Sequence, residues 1–332
     1  MKNIIYLLGT VLSILIACSA CNDEWEEEQY VQYACLKAPA GSGNTVTQIR
    51  VKYKGGEATR YQLPVTMSGT TPNSRDRDIH IILDRDTLEI YNKEHFYSRT
   101  DLYYRLLDES FYDISDPVVH IPSGKQSGLL DIHFKLKDLD LVEQWVLPLK
   151  IDDDPSYNYK SHPRKDYNNA LLWVTPFNDY SGTYGTTNLS VYTESSNQPI
   201  IVDQRTTHVV DENSIFFYAG VTKEERRDRK YFKVIATFNT ETDSTGTVSL
   251  EAAYPDVINL QVIGEPTYEI VKIMDTARPT LLRKTITVSM QYSFEDALEL
   301  PGHITRYSVK GTMSMQRNIN TLIEDEEFAI EW

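Results

Sequence analysis

Thr285-Ile286-Thr287-Val288-Ser289-Met290-Gln291-Tyr292 is the stretch that decides the fold. Every second residue is large and apolar and those between are small or polar, the period of an extended strand with one face buried. A few residues on, Tyr307, Val309, Met313 and Met315 alternate in the same way with Arg306, Ser308, Thr312 and Ser314. Such runs predict antiparallel strands with one wet face. Working back toward Tyr180, about eight to nine runs of this kind are present, among them residues 231–238 and 247–252, which allows a lipocalin-like antiparallel barrel or a second sandwich. The alternation alone does not choose between these two. The terminal Phe328-Ala329-Ile330-Glu331-Trp332 alternates again and predicts a docked strand.

Upstream the period is also two. Residues 45–54, 60–69, 78–84, 128–136, 144–151 and 170–174 read as strands, separated by turn signals such as Gly55-Gly56, Thr71-Pro72-Asn73 and Pro122-Ser123-Gly124. One segment departs from this pattern, with Asp86 or Thr87 capping a short helix that carries Leu88, Tyr91 and His95 on one face. It predicts a crossover between strands. About seven short strands over some 145 residues predict an immunoglobulin-like β-sandwich. The pattern breaks around Thr175-Pro176-Phe177-Asn178-Asp179, so an all-β chain is expected with a sandwich domain over 29–175 and a barrel or sandwich domain over 176–332. No repeat relates the two halves.

The chain has 332 residues, with 33 Lys and Arg against 48 Asp and Glu and a net charge of −15. Nucleic acid and other polyanions are therefore repelled overall. The 22 Tyr, against 10 Phe and 4 Trp, supply amphipathic rings suited to binding surfaces.

The N-terminus addresses the protein. Met1-Lys2-Asn3 precedes an apolar run over residues 4–17, too short for a lasting membrane helix, so residues 1–20 read as a secretory signal. Leu15-Ile16-Ala17-Cys18 looks like a lipobox, and Cys21 is a second candidate for the acylated residue. Residues 21–28 carry five carboxylates in eight positions and are expected to form a solvated acidic tether. Only Cys35 lies in the expected folded region, where a small buried thiol is the natural reading and no disulfide framework is available.

Catalytic patterns do not emerge. There is no His-Glu-x-x-His pair, no Gly-x-Ser-x-Gly elbow and no Gly-rich phosphate loop ending in Lys. No cofactor, metal or catalytic residue is expected, and His80, His120 and His133 read as isolated strand histidines. Asp138-Leu139-Asp140-Leu141-Val142-Glu143 superficially approaches the acidic signature of family 18 glycosidases. Lys135 stands where the first Asp belongs and Glu143 comes one residue late, so the stretch reads as a solvated turn. Asp152-Asp153-Asp154 lacks the interleaving of a calcium loop. The mixed-charge stretch 223–230 reads as an exposed turn.

The positive sign of ligand contact is the following loop, where Tyr157, Tyr159 and Tyr167 stand among Asn158, Lys160, His162, Arg164, Asn168 and Asn169. Aromatic faces suit the C–H faces of sugars, and amide and guanidinium groups suit their hydroxyls. Tyr157, Tyr159, Arg164 and Tyr167 are the candidate ligand-binding residues, with the competing reading that the tyrosines pin the loop to the sandwich. Trp145 and Trp173 read as core, and Tyr103 and Tyr104, if extended, expose at most one ring.

The Cys with Asn22-Asp23-Glu24-Trp25, then Lys37-Ala38-Pro39, Tyr61-Gln62-Leu63-Pro64-Val65, Asp101-Leu102-Tyr103-Tyr104 and Trp145-Val146-Leu147-Pro148-Leu149 resemble a family of surface lipoproteins from polysaccharide-utilisation loci. So do Tyr307-Ser308-Val309-Lys310-Gly311-Thr312-Met313 and Ile330-Glu331-Trp332. Members pair a sandwich domain, found also before family 18 endoglycosidases, with a C-terminal β-domain of unknown function. The resemblance implies a lipid-anchored protein on the outer face of the outer membrane, noncatalytic, binding a neutral oligosaccharide or polysaccharide beside a Sus-type transporter and a surface glycosidase. An adhesin or pilus-type subunit is the alternative, and a glycosidase the third. No family motif designates binding residues.

Overall fold

The computed structural model describes residues 28, 30–38, 46–300 and 302–332. The signal segment, both candidate acylated cysteines and nearly all of the tether lie outside the described residues.

The N-terminal half is a sandwich of two sheets. One sheet orders the strands Ala34–Leu36, Thr59–Met67, Ser127–Phe134 and Tyr112–Asp113. The other orders Val46–Lys52, Asn169–Phe177, Trp145–Ile151, Arg77–Leu83 and Val118–Ile121, with the short Arg105–Leu106 also paired to Trp145–Ile151. Alternation puts Leu63, Val65, Leu130, Ile132 and Phe134 of the first sheet against Ile79, Leu147 and Leu172 of the second, all but fully excluded from water. The six expected strands form within a few residues of their predicted ends. Pairing is not wholly antiparallel, because Val46–Lys52 runs parallel to Asn169–Phe177. That last strand also passes the expected break at residue 175 and ends at Phe177.

The helix spans Arg85–Phe96. Its cap is Asp84, whose carboxylate accepts from the Thr87 amide, and not Asp86 or Thr87, because the helix starts directly where the strand stops. Leu88 and Tyr91 are buried as expected. His95 stays exposed and stacks on Tyr91, with ring centroids 3.8 Å apart.

The C-terminal half is a closed barrel. Its strands are Gly182–Gly185, Gln204–Val209, Ser214–Tyr218, Lys233–Thr240, Thr245–Ala252, Thr267–Met274, Leu281–Asp296 and Thr305–Asn320. Neighbours pair antiparallel, and Thr305–Asn320 returns to pair with Gly182–Gly185, which closes the ring and excludes the second-sandwich alternative. Closure removes open edges. Ile286, Val288, Met290 and Tyr292 point inward as their alternation predicts, and with Tyr184, Phe217 and Phe232 they fill the lumen.

Each of the last two long strands has 16 residues, more than the barrel wall needs. The surplus of Thr305–Asn320 pairs with Leu189–Thr193, which in turn pairs with Ser196–Ile201. Gly311 permits the switch of partner: its φ is +136°, and a Cβ there would collide with the Asn188 carbonyl. The chain end differs from the expected strand. Glu326–Ala329 is a helical turn, and only Ile330–Glu331 pairs, with Asn318 and Ile319.

Between sandwich and barrel the chain turns at Asn178, which is 3% exposed. Its amide nitrogen donates to the Asp211 and Ser214 carbonyls, and its amide oxygen accepts from the Tyr180 and Ser181 backbone. The link is thus held by side-chain chemistry that a turn-rich sequence alone does not show.

Candidate ligand-binding site

The loop that follows Asp154 is pinned down. Tyr159 is 5% exposed within the sandwich core; its hydroxyl donates to the Asp152 carbonyl at 2.8 Å and accepts from the His80 amide at 3.1 Å. Tyr159, a candidate ligand-binding residue, thus stands with its ring buried and its hydroxyl committed. Tyr157 stacks on His80 with centroids 4.2 Å apart and packs on the same core. Tyr167 is exposed and tilts against His162 at 4.8 Å, and Arg164 is exposed beside it. The four candidates thus fall into an inward pair and an outward pair and do not converge on one site. Asp153 and Asp154 accept from the Ser161 and Ser156 amides, which organises the loop. Among the described residues no group of three or more potential ligands is placed to hold a metal.

A cavity of about 330 Å³ lies instead where sandwich meets barrel. From the sandwich come the segment after the helix, the turn at 141–144 and the strand Asn169–Phe177. From the barrel come Thr206 and His208 of Gln204–Val209 and the loop bearing Glu224, Glu225 and Arg229. Junctions of this kind are where small-ligand sites concentrate.

One wall is aromatic, made by Phe96, Tyr103, Tyr104 and Trp173. Tyr104 meets Trp173 edge-on at 5.8 Å and Phe96 at 5.7 Å. Its backbone is clamped by Asn92, which both donates to the Tyr104 carbonyl and accepts from its amide at 2.9 Å. Tyr103 is fixed by its hydroxyl, which donates to the Tyr97 carbonyl at 2.6 Å. Tyr103 follows the 3₁₀ turn Thr100–Leu102 with an extended backbone, as assumed, and both rings are half-buried and line the same cavity. Trp173, read as core, is half-buried and lines the cavity too. Burial pushes the Tyr104 phenol up to about 12, so it remains a neutral hydrogen-bonding group. Among the described residues the Tyr104 hydroxyl, the Trp173 indole N–H and the Gln144 amide have no protein partner.

The lining also carries charged groups. Asp101 faces Arg99 through three close contacts, at 2.8, 3.0 and 3.1 Å, and that hydrogen bonding holds its carboxyl below the usual carboxylate range. Glu143 pairs with Arg105 at 2.9 Å. Glu224 lies 3.5 Å from His208 Nε2.

Two stretches read as solvent-facing turns prove to be the joint itself. In the 138–143 turn, Leu139 and Val142 are buried, and Val142 packs against Phe216 and Tyr218 of the barrel. In 223–230, Arg229 is 7% exposed and donates to the Val142 carbonyl at 3.0 Å and the Asp101 carbonyl at 3.4 Å. Arg99 returns the contact by donating to the Glu225 carbonyl at 2.6 Å. Charge-rich composition suggests solvation, and only the tertiary partner reveals the buried guanidinium.

Two family profiles match the chain. One, described as a domain of unknown function (DUF4973), covers residues 25–155, and a C-terminal domain profile covers 168–314. A Bacteroides ovatus protein of unknown function is 42% identical, with 90% of this chain and 100% of that one covered at a TM-score of 0.81. A Bacteroides ovatus multidomain protein including DUF1735 is 41% identical over 90% and 100%, also at 0.81. An auxiliary nutrient binding protein from Bacteroides thetaiotaomicron is 33% identical over 89% and 98%, at 0.80. The chain belongs to the family of these Bacteroides proteins. No curated protein matches it. The family likeness extends over both sandwich and barrel, and residues of both matched segments line the cavity. The matched profiles and the nutrient-binding relative fit an accessory protein of the Sus type.

Proposed function

We propose that the protein is a noncatalytic accessory protein that captures a neutral oligosaccharide in the cleft between sandwich and barrel. The observation that carries this reading is the aromatic wall of Tyr103, Tyr104 and Trp173 with partnerless polar groups set among the rings. An apolar face beside unused donors and acceptors is what a sugar ring requires. The relative described as an auxiliary nutrient binding protein supports the accessory role. Asp101 and Glu143 are tied to arginines, and Asp101 is held more acidic, opposite to what a glycosidic general acid needs.

In this reading the protein is exported, acylated at Cys18 or Cys21, and held off the outer membrane by the acidic tether, with folded domains over 29–175 and 176–332. Its glycan would pass to a transporter or come from a surface glycosidase. Tyr167 and Arg164 remain available as an outlying contact for a longer chain.

Calorimetric titration of the full chain against neutral plant, microbial and host glycans, with mass analysis of the mixtures, tests the proposal. Binding without cleavage is expected, and Trp173→Ala should weaken it by about 2 kcal/mol, roughly thirtyfold, as loss of a central aromatic anchor. Cleavage, or binding indifferent to Trp173, overturns it.

A further inference from the structure

Resting on that reading, we infer that Glu224 and Glu225 are specificity-determining residues that bar acidic glycans, those bearing uronate, sialate or sulfate groups, from the cleft. Four carboxylates line the cavity, but they are not equivalent. Asp101 and Glu143 face guanidinium groups at 2.8 and 2.9 Å. Among the described residues Glu224 has His208 within ion-pair reach and Arg205 near enough for its charge to interact, and Glu225 pairs with no basic side chain.

The cations nearby are already engaged: Arg227 lies 3.8 Å from the Asp101 carboxylate, and Arg205 donates to the Thr222 and Gly220 carbonyls. Among the described residues Arg229 is the one guanidinium lining the cavity, and its terminal nitrogens point at the carbonyls of Arg226, Asp101 and Val142. Arg99 lies close enough for its charge to interact with Glu225. Its hydrogen bonds, however, go to the Asp101 carboxylate and to the Glu225 backbone carbonyl. An acidic sugar entering here meets two carboxylates without a clamp to offset them. A neutral sugar meets the same oxygens as acceptors for its hydroxyls, which donate well to charged groups.

The loop that carries both residues is itself held in place. Arg226 bridges Asp228 and Asp296, the Arg226 amide donates to the Lys223 carbonyl, and Arg99 holds residue 225 by its backbone. The backbone that carries the two residues therefore cannot move aside without breaking the joint between sandwich and barrel, which keeps both carboxylates at the cleft.

The test pairs each neutral probe with an acidic counterpart: galactan with polygalacturonate, xylan with glucuronoxylan, mannan with sulfated mannan, and asialo with sialylated N-glycan. For the full chain at low salt, the acidic member of a bound pair should bind at least about tenfold more weakly, and the gap should narrow in about 0.5 M salt. Glu224→Gln/Glu225→Gln should raise the acidic-to-neutral affinity ratio toward one. Glu225→Gln alone, at an exposed side chain with no hydrogen bond to lose, should raise it part of the way and keeps the test sound if the double variant folds poorly. Equal binding of acidic and neutral partners by the unaltered protein, or variants that still reject acidic glycans, overturns the inference and leaves capture standing. Binding of no glycan of either kind overturns both.

Discussion

Tyr159 and Trp173 show how far a side chain's role can be read from its neighbours in sequence. A tyrosine in a polar loop and a tryptophan in an apolar strand suggest a binding ring and a core ring, yet the fold buries Tyr159 and leaves Trp173 lining the cavity. Tyr159 is drawn inward because the His80 amide and the Asp152 carbonyl both need its hydroxyl. Trp173 is left half-buried because the face of its strand runs out at the junction with the barrel. Neither cause is local. Tyr159→Phe should destabilise the protein by about 1–3 kcal/mol, since a buried amide loses its acceptor. Thermal or denaturant unfolding measures this, and glycan affinity should stay as it was; a stable variant with weakened binding would return Tyr159 to the ligand.

Strands were the most legible elements. Ile286 to Tyr292 and Tyr307 to Met315 declare their inward faces through strict alternation, and those residues do line the lumen. Connections were less legible because their partners are remote: the helix cap moved to Asp84, and 223–230 became a joint. Asp296, at the end of Leu281–Asp296, has such a remote partner. Burial works against its charge, but Arg226 and the Leu298 and Glu299 amides outweigh burial and hold its carboxyl below the usual range. A carboxylate made more acidic by folding adds stability that is full above its unfolded value of about 3.9 and is lost as pH falls through the lower folded value. The melting temperature should therefore fall in that acid window, and Asp296→Asn should show a shallower fall there despite a lower starting value. An unchanged slope in the variant would remove Asp296 from the acid response.

At the scale of the whole molecule, the all-β class and the two successive β-units could be read from the period of two, and a barrel was one of two open alternatives. What could not be read was closure, because pairing of Thr305–Asn320 with Gly182–Gly185 joins residues well over a hundred positions apart. Nor could the cleft be read, since it exists only where two separately patterned halves meet. Arg229 is the central fastening of that meeting. Arg229→Met leaves the Val142 carbonyl unpaired, and a cost of about 1–3 kcal/mol is expected. Scanning calorimetry should then resolve one cooperative transition into two, with glycan affinity reduced because the cleft walls come from both halves. A single transition at unchanged temperature would mean that apolar packing alone fastens them.

The Asn178 link has a consequence for kinetics. The four bonds of the Asn178 side chain fix the turn on the barrel side, and Arg229 and Arg99 bond across the joint to the sandwich, so under the proposed function capture is expected to need no closing step. Encounter with a glycan would then run at the pace of diffusion and orientation alone, and differences among glycans would be expressed in how long each one stays.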